Sequence, residues 1–412
     1  MSATAGDTTA PKPDSAKRAE PRALGVACGA HALHDGYTDL VYVMLPIWQS
    51  EFGLGFAALG LMKTVFSGTL AGFQIPAGFF AERFGATAVL ALGTALAGLG
   101  YVFAGLSSSV AFLVAALFIG GLGASTQHPL ASSLIAHAFA GTRSLKALGT
   151  YNFAGDIGKM TLPAAATLLF IVLSWRHALI LLGALGAIAA VAIFMTMPRF
   201  RDEPSLPRKS DNAGPAHGAA RAYAFPLLLS VGVIDSATRM AFLTFLPFVL
   251  TAKGASIQSV GLALTLVFAG GAAGKLVCAF LGARIGAVAT VWLTETVTAL
   301  GIVALLPLPL EAAFVLLPVV GVALNGTSSV LYGSVPDLVE PAWRQRAFSI
   351  FYTGTIGAGA VSPAIYGLLG DAVGVPAALV VVAALVLVTL PITLVLRLAL
   401  TCPSTAAGKT AR

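Results

Sequence analysis

Residues 45–85 read LPIWQSEFGLGFAALGLMKTVFSGTLAGFQIPAGFFAERFG, and residues 246–286 read LPFVLTAKGASIQSVGLALTLVFAGGAAGKLVCAFLGARIG. At one ungapped offset of 201 residues, Leu45-Pro46 falls on Leu246-Pro247 and Gly60-Leu61 on Gly261-Leu262. Thr64 falls on Thr265, Arg83 on Arg284 and Gly85 on Gly286. Proline and glycine set bends and turns, and a basic residue marks a helix end at a membrane surface. Their coincidence along one offset is the mark of an internal duplication. Parallel duplicated bundles enclose a cavity at their interface near mid-membrane, and rocking one half on the other opens it to alternate sides.

The rest of the chain fits a bundle in lipid. Hydrophobic residues make up 57% of the sequence and charged residues 10%, with a mean hydropathy of +0.89. A water-facing surface needs roughly 25% charged residues, so this chain must present its surface to lipid. Apolar runs at 24–46, 58–81, 87–107, 110–137, 146–171, 177–197, 225–250, 257–282, 287–307, 312–335, 347–369 and 376–398 predict twelve spans. The expected layout is an N-terminal tail over 1–22, a six-helix bundle over 23–197, a linker over 198–224, a second bundle over 225–400 and a tail over 401–412. The polar, proline-containing start has no signal-peptide pattern and reads as a disordered tail. The proline-rich, basic 198–224 segment has a linker composition. With the N-terminus on the cytoplasmic side, 18 of the 24 Lys and Arg face that side and two face the other. The positive-inside rule therefore places both termini in the cytoplasm, for a multi-pass protein of a plasma membrane such as a bacterial inner membrane. The net charge of +7 is spread over seven such segments, which excludes a nucleic-acid-binding patch. Cys28, Cys278 and Cys402 have no metal or redox spacing.

Two six-helix repeats, a long central loop and the stretch Gly78-Phe79-Phe80-Ala81-Glu82-Arg83-Phe84-Gly85 resemble the major facilitator superfamily. The chain departs from that loop motif at Ala86 and Thr87, and the second copy, Ala283-Arg284-Ile285-Gly286, lacks the acid. His31, Asp35-Gly36 and the run Leu45 to Leu54 resemble, more narrowly, the fosmidomycin-resistance-type efflux proteins. So do His128-Pro129 and Gly155-Asp156-Ile157-Gly158 with Pro163, although Asp156, Lys159 and Leu162 depart from that group's pattern. The resemblance implies an all-helical transporter, functional as a monomer, that expels a drug-like solute against protons by a rocker-switch. It also implies a gating role for Glu82, Arg83 and Arg284, whose charges at helix ends can steady one conformer.

The residues themselves mark candidate sites. In the first span His31, His34, Asp35, Thr38, Asp39 and Tyr42 recur at three- and four-residue spacing, so they share one helical face. An ionised carboxylate in hydrocarbon costs several kcal/mol, so this stripe must face a cavity or another helix. Low polarity favours the neutral form of both carboxyl and imidazole, and groups that exchange protons near neutral pH are what a proton-coupled carrier needs. Asp35, Asp39, His31 and His34 are thus the proton-coupling candidates, or else a polar network closing the cytoplasmic end. Pro129 frees the Ser125 carbonyl and bends the fourth span, which puts His128 at a cavity-facing irregularity. Asn152, Asp156 and Lys159 share a face of the fifth span. Asp235 and Arg239 lie four apart in the seventh, and the offset lays Asp235 on His34. Each acid can neutralise its basic neighbour in a structural bridge, or both can bind cargo. Arg239 is suited to a carboxylate or phosphonate. Lys275 and Glu295 are expected to bridge at the cytoplasmic end, as a gate or a structural tie, and Lys63 to snorkel. Gly68-x-x-x-Gly72 and Gly270-x-x-x-Gly274 are expected at close helix contacts. His31, His34, Asp35 and His128 could also ligate a divalent cation, but soft ligands are absent and no metal is assigned.

A phosphate-cradling loop and a nucleophile arrangement are absent from the sequence. The reading is a proton-coupled secondary transporter of a small organic solute, of the efflux type, with no cofactor and no enzymatic activity. Proton symport importing a small organic anion is the alternative. A non-transporting sensor or an intramembrane enzyme is the remote one.

Overall fold

The computed structural model describes residues 13–139, 142–198, 223–340 and 343–401, all helix and short turns. The first half runs through α1 (Pro13–Phe52), α2 (Phe56–Gly72), α3 (Gln74–Phe84), α4 (Ala86–Leu106), α5 (Val110–Ala124), α6 (Gln127–Ala138), α7 (Thr142–Leu169) and α8 (Trp175–Thr196). The second comprises α9 (Ala224–Ala252), α10 (Ile257–Ile285), α11 (Ala287–Leu305), α12 (Leu310–Leu338), α13 (Arg344–Val373), α14 (Val375–Leu387) and α15 (Thr389–Thr401). Three pairs, α2/α3, α5/α6 and α14/α15, are each one broken span, which leaves twelve crossings in two bundles of six. The cause of the breaks is common to all three. Pro76 and Pro391 stand four residues beyond Gly72 and Leu387, where α2 and α14 stop, and Pro129 stands four beyond Ser125, the residue that caps α5. A proline ring collides with the carbonyl four residues back and offers it no amide. The α2/α3 pair bends by 44°.

The duplication is visible in the backbone. Gly53 and Gly254, 201 residues apart, have φ of 62° and 86°, and Gly85 and Gly286 have 86° and 84°. These left-handed turns cost an L-residue roughly 1–2 kcal/mol. Pro46 and Pro247 lie inside α1 and α9.

Among the described residues, nine helical segments are apolar and long enough to cross a membrane, or ten counting the bent pair. The other two crossings are α1 and α7, whose hydropathy is lowered by the polar residues they carry. One boundary differs from expectation: α1 begins at Pro13, so residues 13–22, expected in a tail, are helical. Proline is well placed at a helix start, where its missing amide would have no partner, and alanines follow at 16, 19 and 23. The expected linker falls almost wholly, and the C-terminal tail beyond Thr401, outside the described residues. The molecule wears its apolar side chains outward: Val172 and Leu276 are 77% and 76% exposed, while acids in the middle of the bundle are buried.

The halves meet along α2 with α13, α7 with α10, and α1 with α9. The tight contacts gather at one end. The Asp371 carboxylate of α13 accepts the amides of Phe56 and Ala57 at 2.7 and 2.9 Å, the first two residues of α2. A Cβ on Gly60 would lie 2.0 Å from the Pro363 carbonyl oxygen, and one on Gly367 2.4 Å from that of Phe56. The Phe56 ring sits edge-on to Phe245 and Phe248, 6.0 and 5.1 Å between centroids. Toward mid-bundle, Thr265 donates to the Met160 carbonyl at 2.9 Å and Gln258 to that of Thr167 at 3.2 Å.

Candidate functional site

The stripe of α1 points into the bundle. His31, His34, Asp35, Asp39 and Tyr42 are all buried, and the Thr38 hydroxyl returns to the His34 carbonyl at 3.1 Å. What lets the stripe meet α7 is glycine. A Cβ on Gly158 would lie 1.8 Å from the Ala32 carbonyl oxygen, and one on Gly155 2.6 Å from Asp35 Oδ2. The His31 ring stacks on Tyr151 at 3.9 Å, and its Nδ1 is 2.8 Å from the Tyr151 carbonyl oxygen. A carbonyl only accepts, so Nδ1 carries the proton. His31 Nε2 lies 3.3 Å from Asp35 Oδ1 and has no aligned hydrogen-bond partner. His34 and His128 bring their Nε2 atoms to 3.8 and 4.0 Å of the same oxygen. In a His31 protonated at Nδ1 alone, the Nε2 lone pair faces the Asp35 carboxylate.

From Asp35 an alternating chain of charge runs across the molecule. Lys159 Nζ is 3.3 Å from Asp35 Oδ2 and 4.0 Å from Asp156 Oδ1. Lys275 Nζ, on α10, reaches both oxygens of Asp156 at 2.7 Å. Asp156 with Lys275 is thus a tie between the halves. The expected Lys275–Glu295 bridge does not form: their similar depth on adjacent helices suggested it, but the Lys275 side chain projects across to α7. The expected Asp156–Lys159 pair is only marginal, because Lys159 lies closer to Asp35. The acids are buried, with side chains 9% and 10% exposed, whereas Lys159 and Lys275 are 31% and 39% exposed. The lysines are the partly exposed members of the chain.

Lys63 does not snorkel. It is 1% exposed, donates to the Thr38 carbonyl at 2.9 Å, and lies 4.2 Å from the Tyr42 ring centroid. It belongs to the α1 cluster, near Asp39. Its place in an apolar run hid this, and only its offset from a lipid-facing side could have signalled it.

The second half has its own polar pocket. Asp235, Ser236 and Arg239 of α9 line a small cavity with Ser328 and Tyr332 of α12 and Thr355 of α13. Among the described residues, no ion pair within 4.0 Å joins Asp235 to Arg239, so the structural bridge, one of the two readings of that pair, does not form. Asp235 instead comes within hydrogen-bonding reach of the Glu295 carboxyl. Arg239 Nε and Glu295 Oε1 are buried without a hydrogen-bond partner. Tyr42 donates to Met240 Sδ at 3.0 Å, which joins α1 to α9 and brings the two polar helices together.

Asn152 is exposed, one turn from Asp156. Glu82, Arg83 and Arg284 are exposed as well, and no ion pair joins them to another described residue; Arg83 lies over Phe84 and Arg284 over Phe280. The ligand atoms of His31, Asp35 and His128 come within 4.8 Å of one another. Lys159, 3.3 Å from the same carboxylate, opposes a divalent cation there. Sequence reasoning missed Asp371. It stands beside the glycine of a short turn, where an acid is ordinarily solvated.

The chain belongs to the Major Facilitator Superfamily, which it matches over residues 27–231 and 228–410. It is 28% identical to a probable sulfoacetate transporter of Cupriavidus necator, covering 85% of this chain and 87% of that one. It is 23% identical to the fosmidomycin resistance protein of Escherichia coli, over 84% and 86%. Among solved structures, a bacterial homologue of the lysosomal transporter Spinster, inward-facing and occupied, superposes with a TM-score of 0.77 at 16% identity, over 95% and 98% of the two chains. The fold and the family are those of carriers of small solutes.

Proposed function

We propose that the protein is a proton-coupled carrier of a small organic anion, working by alternating access between its two halves. One observation carries the cargo class: Lys159 and Lys275, partly exposed, stand at the junction of the halves while their carboxylates are buried. Sulfoacetate, named for one relative, carries a sulfonate and a carboxylate, groups that such cations hold by charge-assisted hydrogen bonds. Arg239, with an unpartnered Nε, is a second cation for the cargo. Proton coupling is assigned to Asp35 with His31 and His34, and to Asp39, because these buried groups lie together, with His31 Nε2 3.3 Å and His34 Nε2 3.8 Å from Asp35 Oδ1. The end fastened by Asp371 is the one that the positive-inside rule assigns to the outside, which supports a state closed there and able to open toward the cytoplasm. Symport follows more directly from lysine-held carboxylates than the drug/proton antiport implied by the fosmidomycin-type resemblance.

Flux of labelled sulfoacetate into proteoliposomes under an imposed pH gradient tests this reading. Symport gives accumulation that follows protons inward, and antiport gives expulsion. Asp35→Asn is expected to abolish the response to the gradient while the protein still inserts. Wild-type coupling in that variant removes Asp35 from the mechanism.

A further inference from the structure

Asp35, Lys159, Asp156 and Lys275 form a quartet of two carboxylates and two ammonium groups, each within 4.0 Å of the next. Its formal charge is zero when all four are ionised. We infer that cargo binds by displacing Asp156 from Lys275, and that the displaced carboxylate takes up a proton, so that proton and anion load together. The inference rests on the anion reading above and adds how the two loads are tied.

The geometry makes the competition unavoidable. Lys275 spends its ammonium on both oxygens of Asp156 at 2.7 Å, yet its side chain is 39% exposed. An anion that approaches Lys275 meets an ammonium already held by Asp156. To hold the anion at comparable distance, Lys275 must give up at least one of those bonds. Asp156 is then left with Lys159, at 4.0 Å, which already serves Asp35 at 3.3 Å. Two carboxylates, their side chains 9% and 10% exposed, would share one ammonium. A net charge in such surroundings is costly by several kcal/mol. One proton on Asp156 restores neutrality.

The other charged groups around α7 do not relieve this. From α1 come Asp35, with His31 and His34 against it, and Asp39 behind; from α6 comes His128; from α10, Lys275. Asp39 also lies near Lys159, and has Lys63 and Arg239 nearby as further cations. On α8, Arg176 is committed to Glu51 at 2.6 Å, and His177 bonds Ser174, both at the closed end. Asp156 is therefore the carboxylate whose partner cargo removes. It also sits on the contact between the halves, so the same exchange loosens a tie that holds α7 to α10.

Calorimetry on the full-length protein in detergent tests the inference, with sulfoacetate as probe and two buffers of different ionisation enthalpy, near pH 7.5. The expected result is uptake of roughly one proton per anion bound. Asp156→Asn is expected to bind sulfoacetate at least as tightly, since Lys275 is free, but with the uptake lost. Lys275→Gln is expected to weaken binding about tenfold or more. Binding by the wild type without proton uptake overturns the competition and leaves the anion reading standing. Uptake that survives in Asp156→Asn and vanishes in Asp35→Asn also overturns it. Absence of binding by both sulfoacetate and fosmidomycin removes the anion reading and the inference together. Each variant's elution as intact protein separates these outcomes from misfolding.

Discussion

Asp371 shows how much one exposed carboxylate can do when its partners are main-chain amides. It accepts from Phe56 and Ala57 at the start of α2, where helix amides are otherwise unpaired and the helix dipole favours an anion. Loss of these bonds is expected to cost about 1–3 kcal/mol of the closed end, which shifts an equilibrium between states about 5- to 150-fold. Spin labels at Ser108 and Glu311, both exposed and one in each half, should report a longer distance in Asp371→Ala than in the parent. An unchanged distribution would mean that the apolar contacts around Gly60 and Phe56 hold that end alone. Neither Asp371 nor Lys63 was legible in the sequence, because each acts on something across the bundle. By contrast, the α1 stripe was legible, since the three- and four-residue spacing of His31, His34, Asp35, Asp39 and Tyr42 fixes a common face whatever lies opposite.

At the scale of helices, glycines decide which pairs close. The two small-residue motifs look alike in sequence but do different things. Gly270 and Gly274 of α10 press on the Pro318 and Val322 carbonyls of α12, where a Cβ would stand 2.1 and 2.3 Å away. Gly68 and Gly72 of α2 have nothing within 4 Å. Gly270→Ala should therefore lower the thermal midpoint in detergent by several degrees, since α10 and α12 must part. Gly68→Ala should leave it unchanged or raise it slightly, as the helix gains propensity of about 1 kcal/mol. Equal effects would contradict the packing described. A spacing of four glycines apart specifies a helix face, and only the partner's position says whether that face is used. The same logic explains why α1 and α7 are the two crossings with the weakest apolar signal: the residues that make the site are the ones that dilute it. The partners of Lys275 escaped the sequence because similar depth on adjacent helices says nothing about which way a long side chain reaches.

For the whole molecule, the duplication was the most legible feature, and it survives in paired left-handed glycines and paired helix-internal prolines. Which end is closed was not legible, because the sequence encodes both states of a carrier. The open end should be measurable by chemistry. Asn152→Cys, on the exposed face of α7 near Asp156, is expected to react with a water-soluble maleimide in the resting protein and several-fold more slowly once sulfoacetate is bound. A rate indifferent to cargo would argue against closure of that end. The clasp between Asp371 and the first turn of α2 carries one further consequence. Its donating side is built from peptide amides, which every residue but proline supplies, so these bonds place no demand on the side chains at positions 56 and 57 while position 371 is pinned. Surveys that look for compensating pairs of substitutions will find no companion for this acid and will overlook the fastening altogether.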